Sequence, residues 1–427
     1  MLLSWTHDVT TSLSDLPGEF AGQLVPRGIF LKKHLCSGGQ GAIYEATFPS
    51  NDTSRTDSCV VKVVRRANMT SDQRRSVLHE FLIHRSVSSH TNIVTCRGYF
   101  YHTDTVFGVL DMIDGGDLHY AISEKAIFWK DSDLLRDVFT QILDAVAFCH
   151  ARGIAHLDLK PENVLCSADC RCVYITDFGA ATTAAYSMRV DVGTAMYMAP
   201  EIFDSISTPR LYDPRKADLW SLGCIFVNMI GGQLPWDEAR LCDGNFAAFL
   251  ADADFLRAIL PISAEANYLA RRVLELSPDG RLPIHTLARE IDMIRDFFMN
   301  DQDLKLSSGA VRGVALLAAC TKRDWKSREA LHAAAPLECT STALASMARA
   351  DDLDASGPDS AQQYTTSAES DGEESSGGSL FYASESCMNL ADLCGGRDNG
   401  GEEPEDEQNV GNRMEGFEDV SLCSPII

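Results

Sequence analysis

The run His156-Leu157-Asp158-Leu159-Lys160-Pro161-Glu162-Asn163 brings a carboxylate, an ammonium and an amide together on a loop stiffened by Pro161. Asp177 follows in Thr176-Asp177-Phe178-Gly179, directly after a strand-like run at Val173–Ile175. These side-chain types suit phosphoryl transfer, in which a protein mainly positions groups and neutralises charge. Asp158 would accept or orient the proton of an attacking hydroxyl, and Lys160 would offset charge on the transferred group. Asn163 and Asp177 offer oxygen ligands to magnesium, a hard cation that keeps several waters.

Upstream stands Leu35-Cys36-Ser37-Gly38-Gly39-Gln40-Gly41-Ala42-Ile43-Tyr44, a glycine-rich turn between two strand-like runs. Without a Cβ in the way, backbone there can approach phosphate oxygens closely, although a plain hairpin turn reads the same way. Lys62 lies inside the apolar run Cys59–Val63, where an ammonium is costly to bury unless it meets a phosphate or a carboxylate. Glu80, in a helical stretch over Ser71–Val87, could be that carboxylate or an ordinary solvated helix residue.

The elements that would position these groups fall into two halves. From Ile29 to about Ile113 the runs Ile29–Leu35, Ala42–Phe48, Cys59–Val64, Asn92–Tyr99 and Thr105–Met112 read as strands. Pro49–Ser58, dense in turn formers, reads as a hairpin loop. After Gly115-Gly116 the pattern turns helical. Asp133–Arg152 carries apolar residues at helical spacing, and Leu219–Ile230 is apolar nearly all round, as befits a central buried helix. A small β-rich half followed by a larger helical one predicts an α+β, two-lobed fold. Residues 1–27 read as a leader with weak signals, 301–350 as a helical extension or linker with one or two helices in Ala310–Ala335, and 351–427 as a disordered acidic tail.

The formal net charge of −24 belongs mostly to that tail, whose 19 acidic and two basic side chains leave −7 for everything before it. No part is basic enough to point to nucleic acid. No run approaches the length of a membrane-spanning helix, and no export signal opens the chain. The 14 cysteines are therefore expected as reduced thiols in the cytoplasm or nucleus. Cys166, Cys170 and Cys172 have neither the spacing nor the histidine of a common zinc site and read as buried or turn cysteines.

With Met198-Ala199-Pro200-Glu201 and Asp218-Leu219-Trp220-Ser221-Leu222-Gly223 following in order, the segments resemble the protein-kinase superfamily over about residues 28–300. That resemblance implies a two-lobed kinase fold (N-lobe 28–113, C-lobe 114–300), ATP and Mg2+ as cofactors, and protein substrates. It implies Lys62 on the α- and β-phosphates paired with Glu80, Asp158 as catalytic base, Lys160 beside it, Asn163 and Asp177 as metal ligands, and Gly38 and Gly41 over the nucleotide. It also implies Leu35, Ile43, Val60 and Leu165 around the adenine, Leu110 as gatekeeper, and the backbone of Asp111 and Ile113 as hinge contacts. Lys160 and Thr194 resemble the serine/threonine branch. Glu201 with Arg281 matches a lower-lobe ion pair, and Asp218 a brace for the catalytic loop. The run Asp133–Cys149, with Ile154–Cys166 and Val173–Thr183, further resembles fungal kinases that restrain meiosis and respond to nutrients.

Four positions depart from the pattern: Cys36 for the first loop glycine, Val60 where alanine is usual, Leu157 for the arginine before the catalytic aspartate, and His84 where an apolar contact to Phe178 is expected. A scaffold that keeps the fold and binds nucleotide and partners without catalysis is the alternative. The complete charged set Lys62, Glu80, Asp158, Lys160, Asn163 and Asp177 argues for catalysis. A monomer is expected, with regulatory partners reached through the acidic tail.

Overall fold

The computed structural model describes residues 20–38, 41–49, 56–67, 69–190, 192–207 and 209–334. The acidic tail, most of the leader, Gly39, Gln40 and residues 50–55 of the expected Pro49–Ser58 loop lie outside the described residues, while Pro49 and Thr56–Ser58, expected in that loop, pair in the sheet.

Six strands form an antiparallel sheet in the order β1-β2-β3-β4-β6-β5: β1 Gln23–Val25, β2 Ile29–Gly38, β3 Gly41–Pro49, β4 Thr56–Arg65, β5 Cys96–His102 and β6 Thr105–Asp111. Alternation along these strands supplies two apolar faces. Tyr44, Val61, Val63 and Phe107 pack with Phe20 and Val25 on one, and Val64, Val106 and Leu110 pack with Phe81 on the other. The leader is thus not featureless: Phe20 is buried, and β1 pairs with β2.

Helix α1, Ser71–Val87, begins at a capping box in which Thr70 Oγ1 accepts from Gln73 N while Thr70 N donates to Gln73 Oε1. Its Phe81 ring lies over Gly108 of β6, where a Cβ would come within 2.0 Å of it. That missing side chain lets α1 settle on the sheet and fixes the height of Glu80, one residue away. The strand expected at Asn92–Tyr99 starts only at Cys96, because the backbone of Asn92 and Val94 is bonded to Ile175 of the other lobe.

The helical lobe comprises α2 Leu118–Ser123, α3 Ser132–His150, α4 Pro200–Ser207, α5 Pro214–Gly231, α6 Gly244–Ala251, α7 Phe255–Ile259, α8 Ala264–Val273 and α9 Ile284–Met293, with a small hairpin of β7 Val164–Cys166 and β8 Val173–Ile175. Helix α5 is buried along nearly its whole length, as its apolar circumference predicts, and packs with the inner stripe of α3 in one core. Beyond 300 come α10 Asp301–Leu306 and a single long helix, α11 Gly309–Ala334, where one or two helices were expected. No helix among the described residues is long and apolar enough to cross a membrane.

Candidate active site

The site lies where the two lobes meet. Strand β4 carries Lys62, almost fully buried, whose Nζ donates to Glu80 Oε1 at 2.6 Å and to Asp177 Oδ1 at 3.1 Å. Burial works against the Lys62 charge, but the two carboxylates more than offset it and hold the ammonium above its ordinary range. Burial also works against Asp177, yet Lys62 keeps that carboxyl below the usual carboxylate range. Glu80, the most enclosed of the three, is pushed up by burial, which Lys62 opposes.

Asp177 sits at the end of β8 with φ of 60°, a left-handed backbone that costs a non-glycine residue roughly 1–2 kcal/mol. Leu157 shares it, at φ of 62°. Asp218, fully buried on α5, holds the loop in this shape: its carboxylate accepts from His156 N and Leu157 N at 2.8 Å each. His150 Nε2 meets the same carboxylate at 2.8 Å. Sequence reading identified Asp218 but missed His150, which looks like any polar residue at the end of α3.

On that loop, Thr194 Oγ1 donates to Asp158 Oδ1 at 2.9 Å and accepts from Lys160 Nζ at 2.7 Å, and Lys160 also meets Asp158 Oδ2 at 3.1 Å. Asn163 Nδ2 donates to the Asp158 carbonyl at 2.7 Å and to Asp158 Oδ2 at 3.1 Å. The Asn163 amide nitrogen is thereby committed, which leaves its side-chain oxygen to face a cation. That oxygen and the Asp177 carboxylate are hard donors of the kind magnesium takes, and two protein ligands suffice when phosphate and water complete the shell. Among the described residues no group of three His, Cys, Asp or Glu could hold a metal unaided. The donor set fits Mg2+ bound together with a nucleotide, and Lys62 is the cation beside it that phosphate oxygens would meet.

Above this charged floor, Gly38 and Gly41 pair across the glycine turn. Gly41 has φ of 134°, and a Cβ there would lie 2.5 Å from the Val63 carbonyl, so only glycine fits. Val60, Ile113 and Leu165 pack on the cluster that contains buried Leu110, and Ile43 lies opposite Lys62 on β3. Leu35 and Cys36 on β2 are exposed. At the hinge the Asp111 N–H donates to Thr95 O at 3.0 Å. Val60, Leu110, Ile113 and Leu165 thus come together in one cluster, while Leu35 is exposed.

His84 packs its ring on Phe178 at 4.8 Å and bonds Val94 O through Nε2 at 2.7 Å. Burial lowers its pKa to about 4, so the histidine is neutral and serves as an apolar spacer with one satisfied nitrogen. Glu201 and Arg281 form a bidentate pair, 2.6 Å on both arms. Cys166 and Cys170 are buried and Cys172 is exposed.

A two-lobed fold with a lysine–glutamate pair across sheet and helix, facing a braced aspartate loop, defines a class of phosphate-handling domains. The sequence pattern of the protein kinase domain matches residues 30–291, and the chain belongs to the protein kinase family. It is similar to the negative regulator of sexual conjugation and meiosis of Schizosaccharomyces pombe, 31% identical over 64% of this chain and 61% of that protein. It is similar also to the serine/threonine-protein kinase VHS1 of Saccharomyces cerevisiae, 32% identical over 54% of this chain and 53% of that one. The rice CBL-interacting protein kinase 4 is 29% identical over 70% of this chain and 63% of its own length. The expected likeness to a fungal restrainer of meiosis is borne out, and the chain covers less than two thirds of each of these relatives.

Proposed function

We propose that this chain transfers the γ-phosphate of ATP, with magnesium, to serine and threonine hydroxyls of proteins, preferring sites with arginine three residues before the acceptor. The observation that carries the reading is the single ammonium of Lys62 drawn between Glu80 of α1 and Asp177 of the other lobe. It aligns the phosphate-binding cation with the metal-binding carboxylate. Magnesium, when bound, neutralises phosphate charge. Asp158 orients the acceptor hydroxyl, Lys160 offsets charge on the transferred group, and Asn163 and Asp177 hold the metal. Leu35, Ile43, Val60, Leu110 and Leu165 enclose the base, Asp111 and Ile113 present hinge backbone, and Gly38 and Gly41 cover the phosphates. The Thr194 hydroxyl between Asp158 and Lys160 favours the serine/threonine branch, as does the likeness to the serine/threonine-protein kinase VHS1.

The arginine preference rests on Asp117 and Glu162. Glu162 is exposed beside the catalytic loop, and half-buried Asp117 spends one oxygen on the Tyr120 N–H at 2.7 Å, leaving the other to a guanidinium. Asn228 is buried on α5 and adds no charge, so selection two residues before the acceptor is weaker. A well-formed charge-assisted pair contributes about 1.5–3 kcal/mol. A radiolabelled phosphate-transfer assay on a peptide library tests this. Serine and threonine peptides with arginine at that place should be labelled, and Asp177→Asn should abolish labelling. Selection for proline or acidic flanks would overturn the preference, and labelling by the variant would overturn the mechanism.

A further inference from the structure

Lys125, just past α2, is only 7% exposed, and none of the carboxylates among the described residues pairs with it. Its Nζ lies 3.5 Å from Cys170 Sγ, 4.8 Å from the Trp325 ring centroid and 5.2 Å from that of Tyr120. The two rings meet edge to face at 5.9 Å, so α2 and α11 together close an aromatic cage over the ammonium. Rings and a methylene stem stabilise such a cation only partly, and a buried ammonium calls for an anion. The one candidate in contact is the sulfur of Cys170. That residue sits in the β7–β8 turn at φ of 55° and hydrogen-bonds the thiol of Cys166, which ends β7 and is fully buried. The Cys166 hydrogen bond first, then Lys125, lower the Cys170 thiol to about 6 against the opposing effect of burial, with Asp169 the nearby charge that resists. The same hydrogen bond and burial push Cys166 up. One thiolate and one protonated thiol therefore stand side by side, the arrangement of an attacking and a resolving cysteine.

We propose that Cys170 is a hydroperoxide-reactive thiolate and that Cys166 resolves it, closing a disulfide within the β7–β8 turn. The Cys170 thiolate attacks one peroxide oxygen, the O–O bond breaks, and the leaving oxygen takes a proton to depart as water or an alcohol. Cys170 is then a sulfenic acid. The Cys166 sulfur attacks it, the S–O bond breaks, an S–S bond forms, and the hydroxyl leaves as water with the Cys166 proton. The two thiols lose two electrons in all and the hydroperoxide gains them. The step uses nothing of the phosphate site. It does touch the cleft wall, because Cys166 bonds Gly115 N through its carbonyl at 3.0 Å and Gly116 O through its N–H at 2.8 Å. It also removes the anion from beneath Trp325, so α11 loses part of its hold on α2.

The test treats the full chain with hydrogen peroxide near pH 7, then alkylates and maps the cysteines by mass spectrometry. At that pH an ordinary exposed thiol is only a few per cent thiolate, so Cys166–Cys170 should close before Cys36, Cys172 or Cys242 is oxidised. Cys166→Ser should stop at a sulfenic acid that a cyclic diketone traps on Cys170. Lys125→Met removes a cation that favours the thiolate, so its closure rate should level off at a higher pH and be severalfold slower when followed at about pH 5. In the unmutated chain, which needs no variant to fold, the rate should already be near its plateau at pH 7. Prior oxidation of the exposed cysteines, a bridge to Cys172 in place of Cys166, an unchanged rate in Lys125→Met, or a rate still climbing through the ordinary thiol range near 8.5 would each overturn the assignment.

Discussion

The Lys62 cluster and the Glu201–Arg281 pair are both ionic, both inside the protein, and both join segments distant in the chain, but only one is saturated. The Arg281 guanidinium has five N–H donors, and all are spent: two on Glu201 at 2.6 Å each and three on the carbonyls of Lys216, Glu275 and Leu276. It stacks over Trp220 as well, 5.2 Å from the ring centroid. One charge of each sign and every donor matched make a closed joint of the lower lobe. Lys62, by contrast, is shared between two carboxylates among the described residues, and Asp177 keeps about a third of its side chain open to solvent. A carboxylate that shares its cation and stays open to a cleft is where a metal ion and a phosphate can enter. Complete pairing marks the structural site and incomplete pairing the functional one.

The sharpest way to break this comparison is to remove each cation. Lys62→Met should lower phosphate transfer by about 10²–10³, the usual share of one positioned charge donor. Its fold should survive, because Asp177 can meet water and burial already inclines Glu80 toward its neutral form. Arg281→Met removes both 2.6 Å bonds to the Glu201 carboxylate and should cost about 3–5 kcal/mol in urea unfolding. Reversed outcomes, with Lys62→Met unfolded and Arg281→Met unaffected in stability, would erase the distinction.

A smaller effect separates His84 from the charged groups beside it. Its folded-state pKa of about 4 lies below the unfolded value near 6.5, so the unfolded chain binds a proton that the native chain refuses. Its contribution is complete above pH 6.5 and is lost as pH falls toward 4, at no more than about 1.4 kcal/mol per pH unit. His84→Leu should flatten that part of the stability profile. An equally steep acid limb in the variant would assign it to other groups.

The smallest change is expected in the activation segment. Leu157 is buried and offers no cation to a phosphoryl group. The segment is held instead by main-chain bonds of Thr182 with Ala155 and of Ser187 with Tyr212, and by the Tyr212 hydroxyl, which donates to Arg189 O at 2.7 Å. Ser187 is itself buried, which leaves Thr182 and Thr183 as the more open hydroxyls. Protein made in bacteria and treated with phosphatase should match Thr182→Ala and Thr183→Ala within a few-fold in phosphate transfer. Loss of most activity on dephosphorylation would show that a cation elsewhere receives a phosphate there.

Much of the site was legible in the chain because its residues come in short runs. His156–Asn163 and Thr176–Gly179 hold the acid, the ammonium and the metal ligands within one loop and one turn, where local backbone alone sets their order. Helix α1 was bounded to the residue, since Thr70 and Gln73 mark its start and its buried face has helical spacing. The β5 boundary was not legible, because Asn92 to Val94 answer to β8 across the cleft. Nor was β1, a three-residue strand that exists only because Phe20 and Val25 find the face of a sheet built from later residues.

By itself, then, the sequence determined which groups are present and which must share a loop: the aspartate–lysine–asparagine set, the glycine turn, the apolar helices and the acidic tail. Tertiary structure alone decided their charge states and partners. Lys62 and Asp177 are 115 positions apart and meet at 3.1 Å, and Lys125, Cys170 and Trp325 gather from three separate elements. The physical reason is that burial and Coulomb interaction depend on distance through space, which the spacing of residues along a chain fixes only within a single turn or strand.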